Sequence, residues 1–406
     1  MNMSMNNTVS AERTHIGFFG RRNAGKSSLV NAVTGQSLSV VSDVAGTTTD
    51  PVRKAMELLP LGPVVIIDTP GIDDEGALGA LRVEKTREII RAVHIAVLVV
   101  DAAAGLQAPD RELLDLFAAE KTPVIIAYNK SDLLEKIPEP ADGKTVYVSA
   151  ATGANLLLFK DTLARMKEGE GPERGLLDGV IKAGDTALLV VPLDESAPKG
   201  RLILPQQHTI QALLLGGAKA VVARDSELTQ ALDALASPPD IVITDSQAFG
   251  FVSKTVPPEV KLTSFSILFA RYKGDLCAAV RGAAALDRLQ DGDTVLISEG
   301  CTHHRQCGDI GSVKLPAWIR NYTKKEINFA FTSGREFPTD LSPYALVLHC
   351  GGCMLNDREM QSRTRYAKAA GVPMTNYGIA IAQMHGILRR SLSPFPDALA
   401  ALDGEA

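Results

Sequence analysis

The apolar positions of this chain fall into short runs that alternate with stretches of helical period. Brief apolar runs bounded by polar or glycine positions predict buried strands, and a 3.6-residue recurrence predicts helices packed beside them. Over the first 170 residues the pattern predicts strands at 15–20, 64–68, 95–101, 124–129 and 145–148. Between them it predicts helices at 26–34, 81–93, 110–120 and 156–168. Alternation of this kind predicts an α/β fold, with a mostly parallel sheet covered by helices on both faces. A glycine- and charge-rich stretch at 168–175 reads as a linker. Beyond it, strands at 186–192, 220–223 and 241–244 and helices at 206–216 and 226–236 predict a second, small α/β unit without a catalytic constellation. A third segment has predicted strands at 293–298, 328–332, 344–348 and 372–375. The expected domains are residues 10–170, 176–265 and 266–396.

The strand ends of the first domain carry chemistry. Gly20-Arg21-Arg22-Asn23-Ala24-Gly25-Lys26-Ser27-Ser28 follows a strand and opens a helix, as a phosphate-binding loop must. Its glycines let backbone N–H groups wrap phosphates at a helix N-terminus, Lys26 reaches the β- and γ-phosphates, and Ser27 binds Mg²⁺. Asp68-Thr69-Pro70-Gly71 ends the next strong strand, where Asp68 is placed for the Mg²⁺ shell and the Gly71 N–H for the γ-phosphate. Asn129-Lys130-Ser131-Asp132 ends another strand, and Asp132 can accept from guanine N1–H and N2–H, a pairing that adenine lacks. Ser149, Ala150 and Ala151 are expected to offer backbone donors to the guanine oxygen.

These motifs resemble the translation-factor class of GTPases, and Gly46-Thr47-Thr48-Thr49-Asp50 looks like the first switch of the TrmE–Era group. The resemblance implies that Thr48, with Thr47 second, completes the Mg²⁺ and γ-phosphate shell. Ile72 stands where Ras-like proteins place a water-orienting glutamine, so hydrolysis is expected to be slow or to use another group. Asp73, Asp74 and Glu75 are acidic groups near that point. Asn23 either binds potassium, as in related K⁺-activated GTPases, or stabilises the loop; a cation there stands in for an arginine finger. Lys26, Asn23 and Thr48 are therefore the expected catalytic residues.

Composition limits the remaining possibilities. At 406 residues the chain is too long for one ordinary core, and 45% hydrophobic against 22% charged residues is a globular balance. A net charge of −5 argues against a nucleic-acid binder with a broad basic surface. No apolar run spans a bilayer, and the polar N-terminus is no secretory signal, so neither membrane nor nucleic acid is an expected partner. Five cysteines without a signal suggest a reducing, cytoplasmic setting and metal chemistry rather than disulfides.

Four of the five lie together, as Cys301 and Cys307 and, after a gap, Cys350 and Cys353, with Cys277 expected as a buried apolar filler. Cys301, His303 and His304 follow one predicted strand; His349, Cys350 and Cys353 follow another. Ligands of open α/β sheets lie beyond the carboxyl ends of strands, so four strand-end loops are expected to converge on one pocket. Glycines 351 and 352 let both sulfurs of Cys350 and Cys353 point at one metal. Three thiolates suit a cubane iron–sulfur cluster with one iron left for a labile ligand, and zinc with three cysteines and a histidine is the competing filling. His303 and His349 either ligate the metal or hydrogen-bond the sulfurs; His304 and His385 are expected to be structural. The long turn around Asp194 reads as a connecting loop, with Asp194 as a second reading for a distant ligand.

Cys301-x-His303, a gap of 45 residues, then His349-Cys350-x-x-Cys353, behind a GTPase domain, resembles the HydF family of FeFe-hydrogenase maturation GTPases over essentially the whole chain. The resemblance implies a GTPase domain, a dimerisation domain and a cluster-binding domain. It implies a 4Fe-4S cluster held by Cys301, Cys350 and Cys353, with GTP, Mg²⁺ and K⁺ at the front. It implies a diiron precursor as cargo, built with two radical-SAM maturases and passed by a homodimer or larger assembly to apo FeFe-hydrogenase. The fourth cluster ligand varies among such proteins; His349 and Asp194 are the positions that match here. A second reading from another class is a GTPase of RNA modification or ribosome assembly with a structural zinc domain, and a third is a thiol- or zinc-dependent enzyme regulated by GTP.

Overall fold

A computed structural model describes residues 10–36, 51–71, 78–140, 142–168, 175–192, 202–300 and 309–404. The chain divides into two compact units, Met1–Glu173 and Arg174–Ala406.

The first unit runs β1 (Thr14–Phe19), α1 (Lys26–Thr34), β2 (Val52–Leu58), β3 (Gly62–Asp68), α2 (Leu78–Ala92), β4 (Ile95–Asp101), α3 (Ala108–Ala119), β5 (Val124–Asn129), β6 (Thr145–Tyr147) and α4 (Leu156–Glu168). The sheet order is β2-β3-β1-β4-β5-β6. Strands β3, β1, β4, β5 and β6 run parallel to one another, whereas β2 pairs antiparallel with β3, Val52 opposite Asp68. Central strands such as Ile95–Asp101 are apolar throughout because both faces are covered. Leu29, Val33, Phe159 and Leu163 of α1 and α4 cover one face; Ile90, Leu113 and Phe117 of α2 and α3 cover the other. Strand β2 has no counterpart in the sequence reading because it is an edge strand: Val52 to Ala55 are exposed and only Met56 and Leu58 are buried, so the apolar signal is faint.

The second unit holds two parallel sheets. The first is built from β7 (Thr186–Val190), α5 (Leu204–Leu215), β8 (Lys219–Ala223), α6 (Leu228–Asp233), β9 (Ile241–Thr244), α7 (Phe249–Thr255), β10 (Lys261–Ser264) and α8 (Phe265–Lys273), in the order β10-β9-β7-β8. Then come α9 (Leu276–Ala283), β11 (Thr294–Glu299), α10 (Leu315–Thr323), β12 (Asn328–Ser333), β13 (Leu346–His349), α11 (Asp357–Ala369), β14 (Met374–Asn376), α12 (Tyr377–Met384), α13 (Leu388–Ser391) and α14 (Pro396–Asp403), with the sheet order β12-β11-β13-β14. The helix expected at 226–236 is only six residues long, since Pro238 and Pro239 follow closely and force the chain towards extended backbone. The core of the first of these sheets also takes in Ile379, Ala382, Leu388, Leu392 and Phe395 from the C-terminal helices. The two sheets are thus bound into one unit by shared apolar burial.

Each sheet has a point where the strand order reverses. The chain leaves β1 towards β3 on one side and β4 on the other, and it leaves β11 towards β12 and then crosses to β13. Parallel sheets open a crevice at the carboxyl ends of such strands. The expected phosphate loop follows β1, and the two expected cysteine segments follow β11 and β13. Among the described residues, no helix is long and apolar enough to cross a membrane.

Candidate functional site

In the first unit the loop after β1 is held in the shape its glycines permit. Gly25 has φ +85, and a Cβ there would stand 2.2 Å from Asn129 Nδ2, so only glycine admits this approach. Lys26 is buried and donates from Nζ to Arg21 O at 3.1 Å. Ser27 Oγ donates to Asp68 Oδ2 at 2.8 Å, while Asp68 Oδ1 is buried without a hydrogen-bond partner. An orphaned carboxylate oxygen beside a hydroxyl is a donor set suited to a hard divalent cation. Asn23 sits exposed on the loop in the left-handed region, φ 63.

Asn129 lies at the centre of the base side. Its Nδ2 donates to Ala24 O at 3.1 Å and Gly25 O at 3.4 Å, and its Oδ1 accepts from Ala150 N at 3.0 Å. It therefore ties the phosphate loop to the loop after β6. The Ala150 amide, expected for the guanine oxygen, is spent on this tie, and the Ser149 amide donates to Ala154 O. Exposed Asp132 accepts from Ser149 Oγ at 2.5 Å.

Two acidic residues join the site without any motif signal. Asp101 accepts from Lys130 Nζ at 2.7 Å. Burial by itself would raise its carboxyl, but the Lys130 ammonium and the Ala103 and Ala104 amides hold it below the usual carboxylate range. Asp110, fully buried in α3, pairs with Arg21 of the phosphate loop at 3.0 Å. An acidic residue at a strand end or in a helix's first turn is too common to stand out in a sequence. Thr47, Thr48, Ile72, Asp73, Asp74 and Glu75 lie outside the described residues.

The second site lies where β11 and β13 end side by side, Ser298 paired in register with His349. Cys350 N–H donates to Ser298 O at 2.9 Å. Cys350 Sγ accepts from Gly300 N–H at 3.0 Å and from Gly352 N–H at 3.4 Å. Gly300 immediately precedes Cys301, so the strand end leading to Cys301 touches the Cys350 sulfur. Two amide donors on one sulfur favour its anionic, metal-binding form. Gly352, between Cys350 and Cys353, turns the loop at φ +62, a conformation that favours glycine. Burial and the neighbouring Cys350 raise the free Cys353 thiol, with Lys273 opposing the shift. This chemistry, soft sulfurs with amide donors and a glycine turn, fits a thiolate-bound metal centre. Cys301, His303, His304, Cys307 and Asp194 lie outside the described residues, and among the described residues no group of three His, Cys, Asp or Glu side chains converges.

His349 is expected as a ligand or as a partner of the sulfurs. It is buried, with Nδ1 2.7 Å from Cys350 O and Nε2 2.9 Å from Arg363 Nη1. A carbonyl only accepts and a guanidinium only donates, so Nδ1 carries the proton and Nε2 accepts. Both ring nitrogens are taken by protein groups.

Arg363, buried in α11, also reaches Ser298 Oγ at 3.3 Å, Gly334 O at 3.0 Å and Glu359 Oε1 at 3.0 Å. One guanidinium thus fastens the ends of β11, β12 and β13. Tyr377 donates to Glu299 Oε1 at 3.4 Å, and burial together with Cys350, Glu299 and Asp309 pushes its hydroxyl far up. Cys277 is half-buried against the core rather than fully enclosed, and His385 caps the end of α12.

Comparison with known proteins separates the two units. Residues 15–130 match the 50S ribosome-binding GTPase model. The tRNA modification GTPase MnmE of Nitratidesulfovibrio vulgaris is 37% identical over 213 residues, 50% of this chain and 45% of that protein. GTPase Era of a Nostoc species is 34% identical over 169 residues, 39% of this chain and 52% of that protein. The chain thus spans about half the length of these curated relatives. A crystal structure of Aquifex aeolicus Era bound to GDP and aluminium fluoride aligns at 21% identity and TM-score 0.35, over 52% of this chain and 91% of that one. Residues 176–274 match the hydrogen maturase F dimerization domain, and residues 277–394 match the hydrogen maturase F tetramerization domain. With a GTPase model in front and both hydrogen maturase F models following in order through the rest, the chain belongs to the hydrogen maturase F (HydF) family.

Proposed function

We propose that this protein is a GTP-hydrolysing scaffold that binds a 4Fe-4S cluster and a diiron precursor and delivers the precursor to apo FeFe-hydrogenase. The observation that carries the metal half of this reading is the contact of Gly300 N–H with Cys350 Sγ. It joins the strand end that leads to Cys301 with the loop that holds Cys350 and Cys353. These three cysteines would hold the cluster, which supplies a redox-active, coordinatively open iron when bound. His349 hydrogen-bonds the loop rather than serving as its fourth ligand, because both of its nitrogens are engaged.

At the front, Lys26 turns from Arg21 O to the β- and γ-phosphates. Ser27 and Asp68 hold Mg²⁺ with Thr48, Thr47 assists, and the Gly71 amide meets the γ-phosphate. Gly20, Ala24, Gly25 and Ser28 contribute backbone donors around the phosphates. Asp132 selects guanine, with Lys130 beside it held by Asp101; the Ala151 amide takes the guanine oxygen because Ala150 is already bonded. Asn129 positions rather than touches the base. Asn23 supplies a K⁺ ligand, and with Ile72 in place of a glutamine the turnover is slow without that cation. The two radical-SAM maturases and apo-hydrogenase are the expected partners of a soluble, cytoplasmic homodimer or larger assembly.

Anaerobic iron and sulfide reconstitution with visible and EPR spectra tests the reading. The expected result is about four irons per chain and a cubane signal; a colourless protein with one tight zinc would replace it with the structural-metal alternative. Turnover in K⁺ against Na⁺ tests Asn23, and equal rates remove that role.

A further inference from the structure

The loop that carries Cys350 and Cys353 is gripped from a distant element. Lys273, the last residue of α8, is 3% exposed. Its Nζ donates to Leu355 O at 2.7 Å, Cys353 O at 3.3 Å and Gly352 O at 3.4 Å. A lysine at a helix C-terminus ordinarily serves its own helix, whose last carbonyls carry partial negative charge. Here the ammonium instead spreads its donors over three carbonyls of one turn, about 80 positions onward in the chain. The ring of Phe269, one turn earlier in the same helix, lies 5.7 Å from the same nitrogen and shields it from water.

Burying an ammonium costs several kcal/mol, and an apolar side chain of similar volume often serves a core equally well. A charge retained in such a place therefore calls for something negative nearby. The cysteine loop provides it: Lys273 Nζ lies 3.4 Å from Gly352 O and 3.3 Å from Cys353 O, inside the turn that carries both sulfurs. Three thiolates around a doubly positive cubane leave a net negative charge, and a buried cation beside it stabilises the more reduced state. Arg363 differs, because Glu359 lies 3.0 Å away and offsets its charge. It fastens strand ends without adding net charge.

We propose that Lys273 is the positioning residue of the cysteine loop and the buried cation that sets the redox balance of the metal centre bound there. It crosses from the segment matching the dimerization model to the segment matching the tetramerization model, so displacement of α8 is transmitted to the metal-binding loop. The redox half rests on the metal-centre reading above; the positioning half does not.

The test uses full-length protein with Lys273→Met, which lacks both donor and charge, and Lys273→Gln, which keeps an N–H donor without the charge. In metal-free protein, amide exchange over residues 350–356 is expected to rise about tenfold in Lys273→Met and to stay near wild type in Lys273→Gln. Unchanged exchange in Lys273→Met overturns the positioning role. After reconstitution, both variants are expected to show a more negative midpoint potential by EPR-monitored titration; a wild-type potential in Lys273→Gln overturns the charge role. If Lys273→Met fails to fold, Lys273→Ala decides the positioning half, faster exchange over residues 350–356 than in wild type supporting it and wild-type exchange overturning it. If wild-type protein takes up no iron, the metal-centre reading fails while the exchange result still decides the clamp.

Discussion

The phosphate loop after β1 and the cysteine loop after β13 each leave the carboxyl end of a parallel strand beside the point where the sheet order reverses. They are built by opposite means. The phosphate loop is shaped by its own glycines and the first turn of α1, with Asn129 and Asp110 as outside ties. The cysteine loop is shaped by side chains from afar: Lys273 of α8, Arg363 of α11 and the Gly300 amide of the β11 end. A loop that binds a polyanion needs only backbone amides, which any short glycine motif supplies. A loop that gathers sulfurs must hold like charges together, and that takes buried cations and amide donors placed by tertiary structure.

The largest effect should come from the Arg363 tie at the strand ends of the second unit. Arg363→Met leaves the buried Glu359 carboxylate without its partner and should cost about 3–5 kcal/mol in the second unit. Chemical unfolding followed by probes in each unit would register it, with the first unit's transition unchanged. Adding Glu359→Leu should recover much of the loss; no recovery would mean that the strand-end hydrogen bonds, rather than the unpaired charge, dominate.

Lys26→Ala should lower GTP turnover roughly 10²–10³-fold, the usual scale for removing a preorganised charge from a reacting phosphate, while iron uptake stays at the wild-type level. Loss of iron uptake as well would break the picture of two separately built loops. Asn129→Ala should weaken GTP binding by about tenfold through loss of the phosphate-loop tie. Isothermal titration with GTP and with ATP checks it, and a gain in ATP binding would instead make Asn129 a base reader.

Gly352→Ala forces an alanine to φ +62 with its Cβ 2.6 Å from Met360 Sδ. A loss of about 1–2 kcal/mol is expected, read as a lower unfolding midpoint of the second unit. The smallest effect concerns Asp101. Its folded-state carboxyl titrates below the ordinary value of about 3.9. Its bond to Lys130 therefore stabilises the fold above that value, and the contribution fades as the pH falls through the lowered one. Because Asp101 is partly solvated, Asp101→Asn should cost no more than about 1 kcal/mol at neutral pH and progressively less as the pH falls below the ordinary carboxylate range. A pH-independent difference would show that the pair is not what stabilises the loop.

Strands whose two faces are both covered, such as Ile95–Asp101 and Val124–Asn129, carry unbroken apolar runs, so the sequence reading places them at their observed ends. Strand β2 and the short β10 do not announce themselves, because an edge strand and a four-residue strand bury too few side chains to leave a period. The motif residues Lys26, Ser27, Asp68, Asn129 and Asp132 stand out in the sequence because each lies in a short run of consecutive residues at a strand end. Their division of labour does not: that Asn129 holds two loops together and takes up the Ala150 amide depends on a contact more than a hundred residues long.

By itself, then, the sequence determined an α/β chain with a nucleotide loop at its front and a sulfur-rich segment near its end, because local glycine geometry and apolar runs are written in consecutive residues. Only the tertiary structure decided that His349 spends both nitrogens on Arg363 and a carbonyl, that Gly300 donates to the Cys350 sulfur, and that Lys273 reaches the cysteine loop. Those outcomes depend on which buried polar groups meet when two parallel sheets share a core, and the need of each buried charge for partners is satisfied by residues that no spacing rule connects.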